Sequence, residues 1–92
     1  MAQVTLEVPR LLRDCTAGES RVGLDAENLD GAFEAIRKGW PLLATHVFTE
    51  EGELRPHVLV LHNDQLLSRG PRLDLRLAAG DRLAIVQAVS GG

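Results

Sequence analysis

Val4-Thr5-Leu6-Glu7-Val8 alternates apolar and polar residues, the two-residue period of a half-buried strand, and Pro9 ends it. Arg13 to Glu19 collects Asp14, Thr16 and Gly18 and reads as a turn. Arg21-Val22-Gly23-Leu24 then reads as a second short strand, so the chain is expected to open with a hairpin. From Leu29 the period lengthens. Leu29, Ala32, Phe33, Ile36 and Trp40 recur at helical spacing and form one apolar stripe, with Asn28 at the N-cap position just before it. Glu34 and Lys38 stand i,i+4 on the outer face, and Gly39 and Pro41 end the helix. Leu42 to Phe48 is expected to give a helical turn leading into a strand edge, and Glu50 to Glu53 a solvated turn. His57-Val58-Leu59-Val60-Leu61-His62 is the strongest strand signal in the chain. Asn63-Asp64 then turns the chain, and Gln65-Leu66-Leu67 pairs back as a short edge strand. After a turn over Leu77 to Asp81, Arg82 to Val89 forms the last strand and runs into Ser90-Gly91-Gly92.

The order is strand, strand, helix, then two or three strands. It resembles the β-grasp, or ubiquitin-like, arrangement: an α+β roll with a mixed four- or five-stranded sheet over one main helix. On this reading residues 1–89 form the domain and residues 90–92 a flexible diglycine tail. The helix stripe would face Leu6, Val8, Val22, Val58 or Leu59, and Ile85 or Val86. Alternation leaves open which member of each adjacent pair points inward.

Composition narrows the function more than the fold. A chain of 92 residues, 45% hydrophobic, is one globular domain with a modest core and little room for a deep active site. Thirteen acids against ten bases give a net charge of −3, and Phe33, Phe48 and Trp40 are the only aromatics. Neither phosphate-neutralising clusters nor stacking platforms are present, which argues against a nucleic-acid partner. Runs such as Val58 to Leu61 are too short to span a bilayer, and the first residues lack a signal-peptide pattern, so cytoplasmic residence is expected. Cys15 is the sole cysteine, which excludes an internal disulfide, and beside Asp14 it reads as a small apolar residue and not as an activated thiolate. His57 and His62 are odd-spaced on one strand and would point to opposite faces, so no metal site is expected. Asp74, Asp81, Glu50, Glu51 and Glu53 read as solvated charges. Ser20, Ser68 and Ser90 lack the His-plus-acid context of a nucleophile, and no GxxxxGK[ST] phosphate loop occurs. No catalytic residue is expected on this chain.

The chemistry lies at the end. Gly91-Gly92 has no side chains, so it can be threaded into a narrow cleft of another protein as an extended strand with the carboxylate leading. The run Gly80-Asp81-Arg82-Leu83-Ala84-Ile85-Val86-Gln87-Ala88-Val89-Ser90-Gly91-Gly92 resembles the terminal signature of the ThiS/MoaD family of ubiquitin-like sulfur carriers. That signature is a Gly-Asp turn, an apolar strand, a short segment, a small residue and Gly-Gly. Val8-Pro9-Arg10-Leu11-Leu12-Arg13, with Thr16 and Gly18, is similar to the start of the carriers that serve cysteine biosynthesis in actinobacteria. Gln87 departs from the proline that many molybdopterin-type and cysteine-type carriers have there, and is closer to the thiamine type.

The resemblance implies that Gly92 is the site of covalent modification, with Gly91 and Ser90 threaded through the partner. An E1-like adenylating and sulfurtransferase enzyme would use MgATP to make an acyl adenylate on Gly92. Sulfide or a persulfide would displace AMP to leave a thiocarboxylate, which a downstream synthase would consume. This chain would bind no cofactor itself. Cysteine, the molybdopterin dithiolene, the thiamine thiazole and secondary metabolites all stay open as products. An apolar surface for the enzyme is expected near the last strand, with Leu59, Leu61, Ile85, Val86 and Val89 as candidates. Two other functions fit the same chain: a ubiquitin-like modifier joined to lysines through Gly92, and a non-covalent β-grasp interaction domain whose tail is incidental.

Overall fold

The computed structural model describes residues 2–67 and 70–87. Strand β1 (Ala2–Glu7) is followed by a 3-10 segment (Arg10–Thr16), β2 (Arg21–Ala26), helices α1 (Leu29–Gly39) and α2 (Pro41–Val47), and strands β3 (Val58–His62), β4 (Gln65–Leu66) and β5 (Arg82–Gln87). The strands form one sheet in the order β2-β1-β5-β3-β4. β1 and β5 are parallel, with Leu6 beside Leu83, and every other pair is antiparallel. The last strand therefore lies in the middle of the sheet, between the opening hairpin and β3. That is the expected β-grasp roll, with five strands.

The helices cover one face. Leu29, Ala32, Phe33 and Ile36 of α1 are buried against Val4 and Leu6 of β1, Leu24 of β2, Val58 and Val60 of β3, and Leu83 and Ile85 of β5. The pairs that alternation left open are thus resolved: Val58 and Ile85 point inward, Leu59 and Val86 outward. Val22 lies half-buried at the margin of the core. The edge of the Phe33 ring meets Phe48 at 5.0 Å between centroids, and the Arg37 guanidinium covers the Phe48 ring at 4.4 Å. Charge is held there against an aromatic face and not buried alone.

Three segments differ from what the pattern indicates. The residues from Leu42 form a full second helix, because Pro41 cannot continue α1 but its fixed φ and missing N–H suit the first helical position of α2. Phe48 then makes one bridge to Leu54, the only trace of the expected strand edge. Arg13 to Glu19 is a turn only from Ala17 onward, since Arg10–Thr16 winds as a 3-10 segment that buries Leu12 and Thr16. The Thr16 hydroxyl donates to the Glu19 carbonyl (2.8 Å), and the Arg13 Nε donates to the Val8 carbonyl (3.2 Å), closing the segment onto both of its flanks. His57 stands in the turn before β3 and is exposed, while His62 ends β3 half-buried.

Candidate functional site

Strand β5 connects the two halves of the site. At its start the Gly80-Asp81 turn ties it to the β3–β4 hairpin. Gly80 has φ +90°, a conformation that a side chain disfavours. Asp81 Oδ2 accepts hydrogen bonds from the Ala78 N–H (2.9 Å) and from His62 Nε2 (2.8 Å). Its Oδ1 accepts from Asn63 Nδ2 (3.0 Å). These bonds, the Ala78 N–H first and then His62 and Asn63, hold the Asp81 carboxyl at about 2, below the usual carboxylate range. An ionised carboxylate only accepts, so His62 must carry its proton on Nε2. Asn63 in turn accepts from the Arg82 N–H (2.8 Å) and donates its own N–H to the Arg82 carbonyl (2.9 Å). The Arg82 guanidinium reaches Asp64 (2.9 Å). The sequence pattern marked Asp81 as a surface charge and Asn63-Asp64 as a plain turn. The signal that they belong together is the Gly-Asp pair opening the last strand, and only the sheet order brings the two turns within reach.

Along β5 the side chains alternate. Leu83 and Ile85 enter the core, and Ala84 and Val86 face out. Ile85, a candidate for the partner surface, is only 3% exposed and belongs to the core, because the register that pairs Val60 with Ile85 points both at the helix. The other described candidates come together. Leu59 stands opposite Val86 and Leu61 opposite Ala84, while Leu61 also faces Leu66 of β4. Val86 is 38% exposed and Leu66 62% exposed, with Leu59 and Leu61 half-buried between them. The β1 side of the same face is polar: Thr5 lies beside Arg82, and Glu7 beside Ala84 is paired with Arg21 at 3.7 Å. An apolar half-face thus runs from the β4 edge to β5.

At the far end of β5 the strand passes the start of the 3-10 segment. An open groove of about 480 Å³ lies there, with Pro9, Leu11, Val86 and Gln87 on its walls. Leu11 is 79% exposed, more than any other large apolar side chain described, while its neighbour Leu12 is in the core. Val89, Ser90, Gly91 and Gly92, the remaining candidates, lie outside the described residues. Among the described residues no three of His, Cys, Asp and Glu form a group that could hold a metal ion, and no helix is long and apolar enough to cross a membrane. Cys15 is a free, half-buried thiol packed against the core.

The fold that positions these residues is shared with known proteins. The chain is 38% identical over 73 residues to small archaeal modifier protein 1 of Haloferax volcanii, which covers 78% of this chain and 79% of that one. The crystal structure of that protein superposes with a TM-score of 0.80 over 99% of this chain and 100% of its own. The Amycolatopsis orientalis BexX/CysO complex contains a chain that matches with a TM-score of 0.80 at 28% identity, covering 97% of this chain and 99% of that one. Urm1 of Trypanosoma brucei, 22% identical with a TM-score of 0.71, shares the ubiquitin-like fold over 98% of this chain and 95% of its own. The sequence profile of the ThiS family matches residues 7–92, nearly the whole chain, and the chain belongs to the ThiS family.

Proposed function

We propose that the chain is a sulfur carrier, a protein cosubstrate whose Gly92 carboxylate is activated and thiolated by a partner enzyme. The observation that carries this reading is the family match, which runs through the Gly-Asp turn and β5 to Gly92 itself. The likeness to a chain of the BexX/CysO complex adds to it, since there a relative of this fold is assembled with a second protein.

The chemistry divides between the two proteins. A carboxylate resists nucleophilic attack, because its charge and resonance oppose it. A Gly92 carboxylate oxygen attacks the α-phosphorus of ATP held by the enzyme, pyrophosphate leaves, and an acyl adenylate forms. Hydrosulfide then attacks the Gly92 carbonyl carbon, AMP leaves, and the thiocarboxylate remains for a synthase to consume. This chain supplies the acyl group and the body that is held; the enzyme supplies MgATP and the sulfur donor. Gly91 and Ser90 fit a channel that admits little beyond backbone. The outer half-face of Leu59, Leu61 and Val86, with Val89 at its margin, is the surface offered to the enzyme. ATP and reduced sulfur place the reaction in the cytoplasm.

The test is direct. Incubation with an E1-like activating enzyme, MgATP and sulfide yields a species heavier by the difference between sulfur and oxygen, and fragmentation locates the change at Gly92. Deleting Gly92 abolishes the shift and leaves the thermal midpoint unchanged, and Cys15→Ser leaves the reaction intact. Loss of sulfur transfer in the Cys15 variant, with transfer retained after Gly92 deletion, would overturn the reading.

A second reading is favoured by the 38% identity to a protein named a modifier. The same adenylate attacked by a lysine amine gives an isopeptide bond and AMP. Tryptic peptide mapping of cell extracts for lysines carrying the remnant of residues 83–92 separates the two, since a carrier alone leaves none.

A further inference from the structure

The groove at the end of β5 and the exposed Leu11 above it are unused by the fold. Pro9 terminates β1, and the 3-10 winding that follows sends Leu12 into the core and turns Leu11 outward. Leu11 therefore adds little to folding, and across the groove from Val86 it extends the exposed apolar surface of the sheet. The groove beneath it is walled by Pro9, Val86 and Gln87, and its polar side carries both a Glu7 and an Arg10, so it presents no single sign of charge. Through Val86 it is continuous with the apolar half-face of the sheet.

What covers this groove follows from where the chain ends. Gly92 is only the fifth of the residues that follow Gln87. Even fully extended they reach at most about 18 Å. An enzyme that acts on the Gly92 carbonyl must bring its reacting atoms within that distance of Gln87, and Gln87 is itself part of the groove wall. Its surface around the channel mouth therefore stands within reach of the groove. A projecting apolar side chain adds to affinity when a partner's pocket receives it and takes its surface out of water.

We infer that Leu11 and the groove beside it are a docking anchor for the ATP-dependent enzyme that adenylates Gly92, which receives Leu11 in an apolar pocket next to the mouth of its tail channel. The inference rests on the proposed carrier function and adds a contact outside the sheet face. The contact holds the body of the carrier and does not touch the reacting atoms, so it governs KM and not kcat.

ATP–pyrophosphate exchange, measured with the activating enzyme against increasing concentrations of the full chain, separates the possibilities. Leu11→Ser removes the anchor without adding charge, and raises KM about tenfold or more with kcat unchanged. Leu11→Met, which keeps apolar volume, returns KM to within about twofold of the wild-type value. Leu42→Ser, at a comparably exposed leucine (70%) on α2, leaves KM unchanged. Thermal midpoints of all three match the wild type, since both leucines are solvent-exposed. A Leu11→Ser KM within about twofold of wild type overturns the anchor. So does an equal rise for Leu42→Ser, or a fall in kcat at constant KM. If Leu11→Ser is silent while deletion of Gly92 abolishes exchange, the anchor fails and the carrier reading stands. If the wild-type chain supports no exchange, both fail together.

Discussion

Asp81 holds its carboxylate where the Gly-Asp turn, the β3–β4 hairpin and the start of β5 meet. Three donors converge on its carboxylate, and through Asn63 and Arg82 they fix the start of β5 against the β3–β4 hairpin. Because its carboxyl is held at about 2 in the folded chain, below the ordinary value of 3.8, the group contributes stability that is fully present above 3.8. That contribution is lost as pH falls from there through about 2. Allowing for solvent screening of a half-buried group, the contribution is about 1 to 2 kcal/mol. Asp81→Asn is expected to lower stability by that amount in urea titrations at pH 7, and the gap to the wild type is expected to close as pH approaches 2. Gly80 is a second expectation at this scale. With φ +90° and open space where a Cβ would sit, Gly80→Ala meets no clash, and costs the backbone term alone, about 1 to 2 kcal/mol in the same titrations.

Helix α1 is the element that holds the sheet. The Asn28 side chain accepts the Gly31 N–H at 2.8 Å, satisfying one of the donors left over at the helix start. Asn28→Ala is expected to cost about 1 kcal/mol by thermal or denaturant unfolding. Phe33 is the larger test, since its ring is buried between the sheet and Phe48. Phe33→Ala is expected to cost about 3 to 5 kcal/mol, a large share of the stability of so small a domain. Unfolding free energies for the two variants would check both, and a loss below about 1 kcal/mol at Phe33 would mean that the core closes over the gap. The Asn28 cap and the α1 stripe are legible in the sequence because capping and helical period act within a few residues. The α2 helix is less so. Its seven residues begin with a proline that reads first as a stop, and only the packing of Leu43 and Val47 into the core makes the segment helical to its end.

Across the whole molecule the sheet has two unlike surfaces. One is closed by the helices, and the other is split between a polar half over β1 and β2 and an apolar half over β5, β3 and β4. If the apolar half receives the activating enzyme, Leu61→Glu is expected to raise KM for adenylation about tenfold or more, while Thr5→Glu on the polar half changes it little. Steady-state pyrophosphate exchange measures both, and equal effects of the two variants would show that added charge and not lost apolar contact is responsible. Folding of each variant is checked by its thermal midpoint, since Leu61 is half-buried.

The sequence alone determined the strand-strand-helix opening and the strands of the second half. Strand and helix periods, the Asn28 cap and the Gly-Asp turn before an apolar strand are local properties, and the strand-strand-helix order leaves few topologies to consider. The run Ser90-Gly91-Gly92 is likewise a local feature of the sequence, and the proposed carrier chemistry rests on it. Only the tertiary structure decided which side of each strand faces the helix. Adjacent apolar pairs such as Leu59-Val60 and Ile85-Val86 satisfy either choice, and the register of β5 between β1 and β3 makes it. The same register buries Ile85, gathers Leu59, Leu61 and Val86 outside, and brings His62 and Asn63 to Asp81 across 19 and 18 residues of chain. Contacts of that separation depend on the closing of the whole sheet, and no window of sequence contains them.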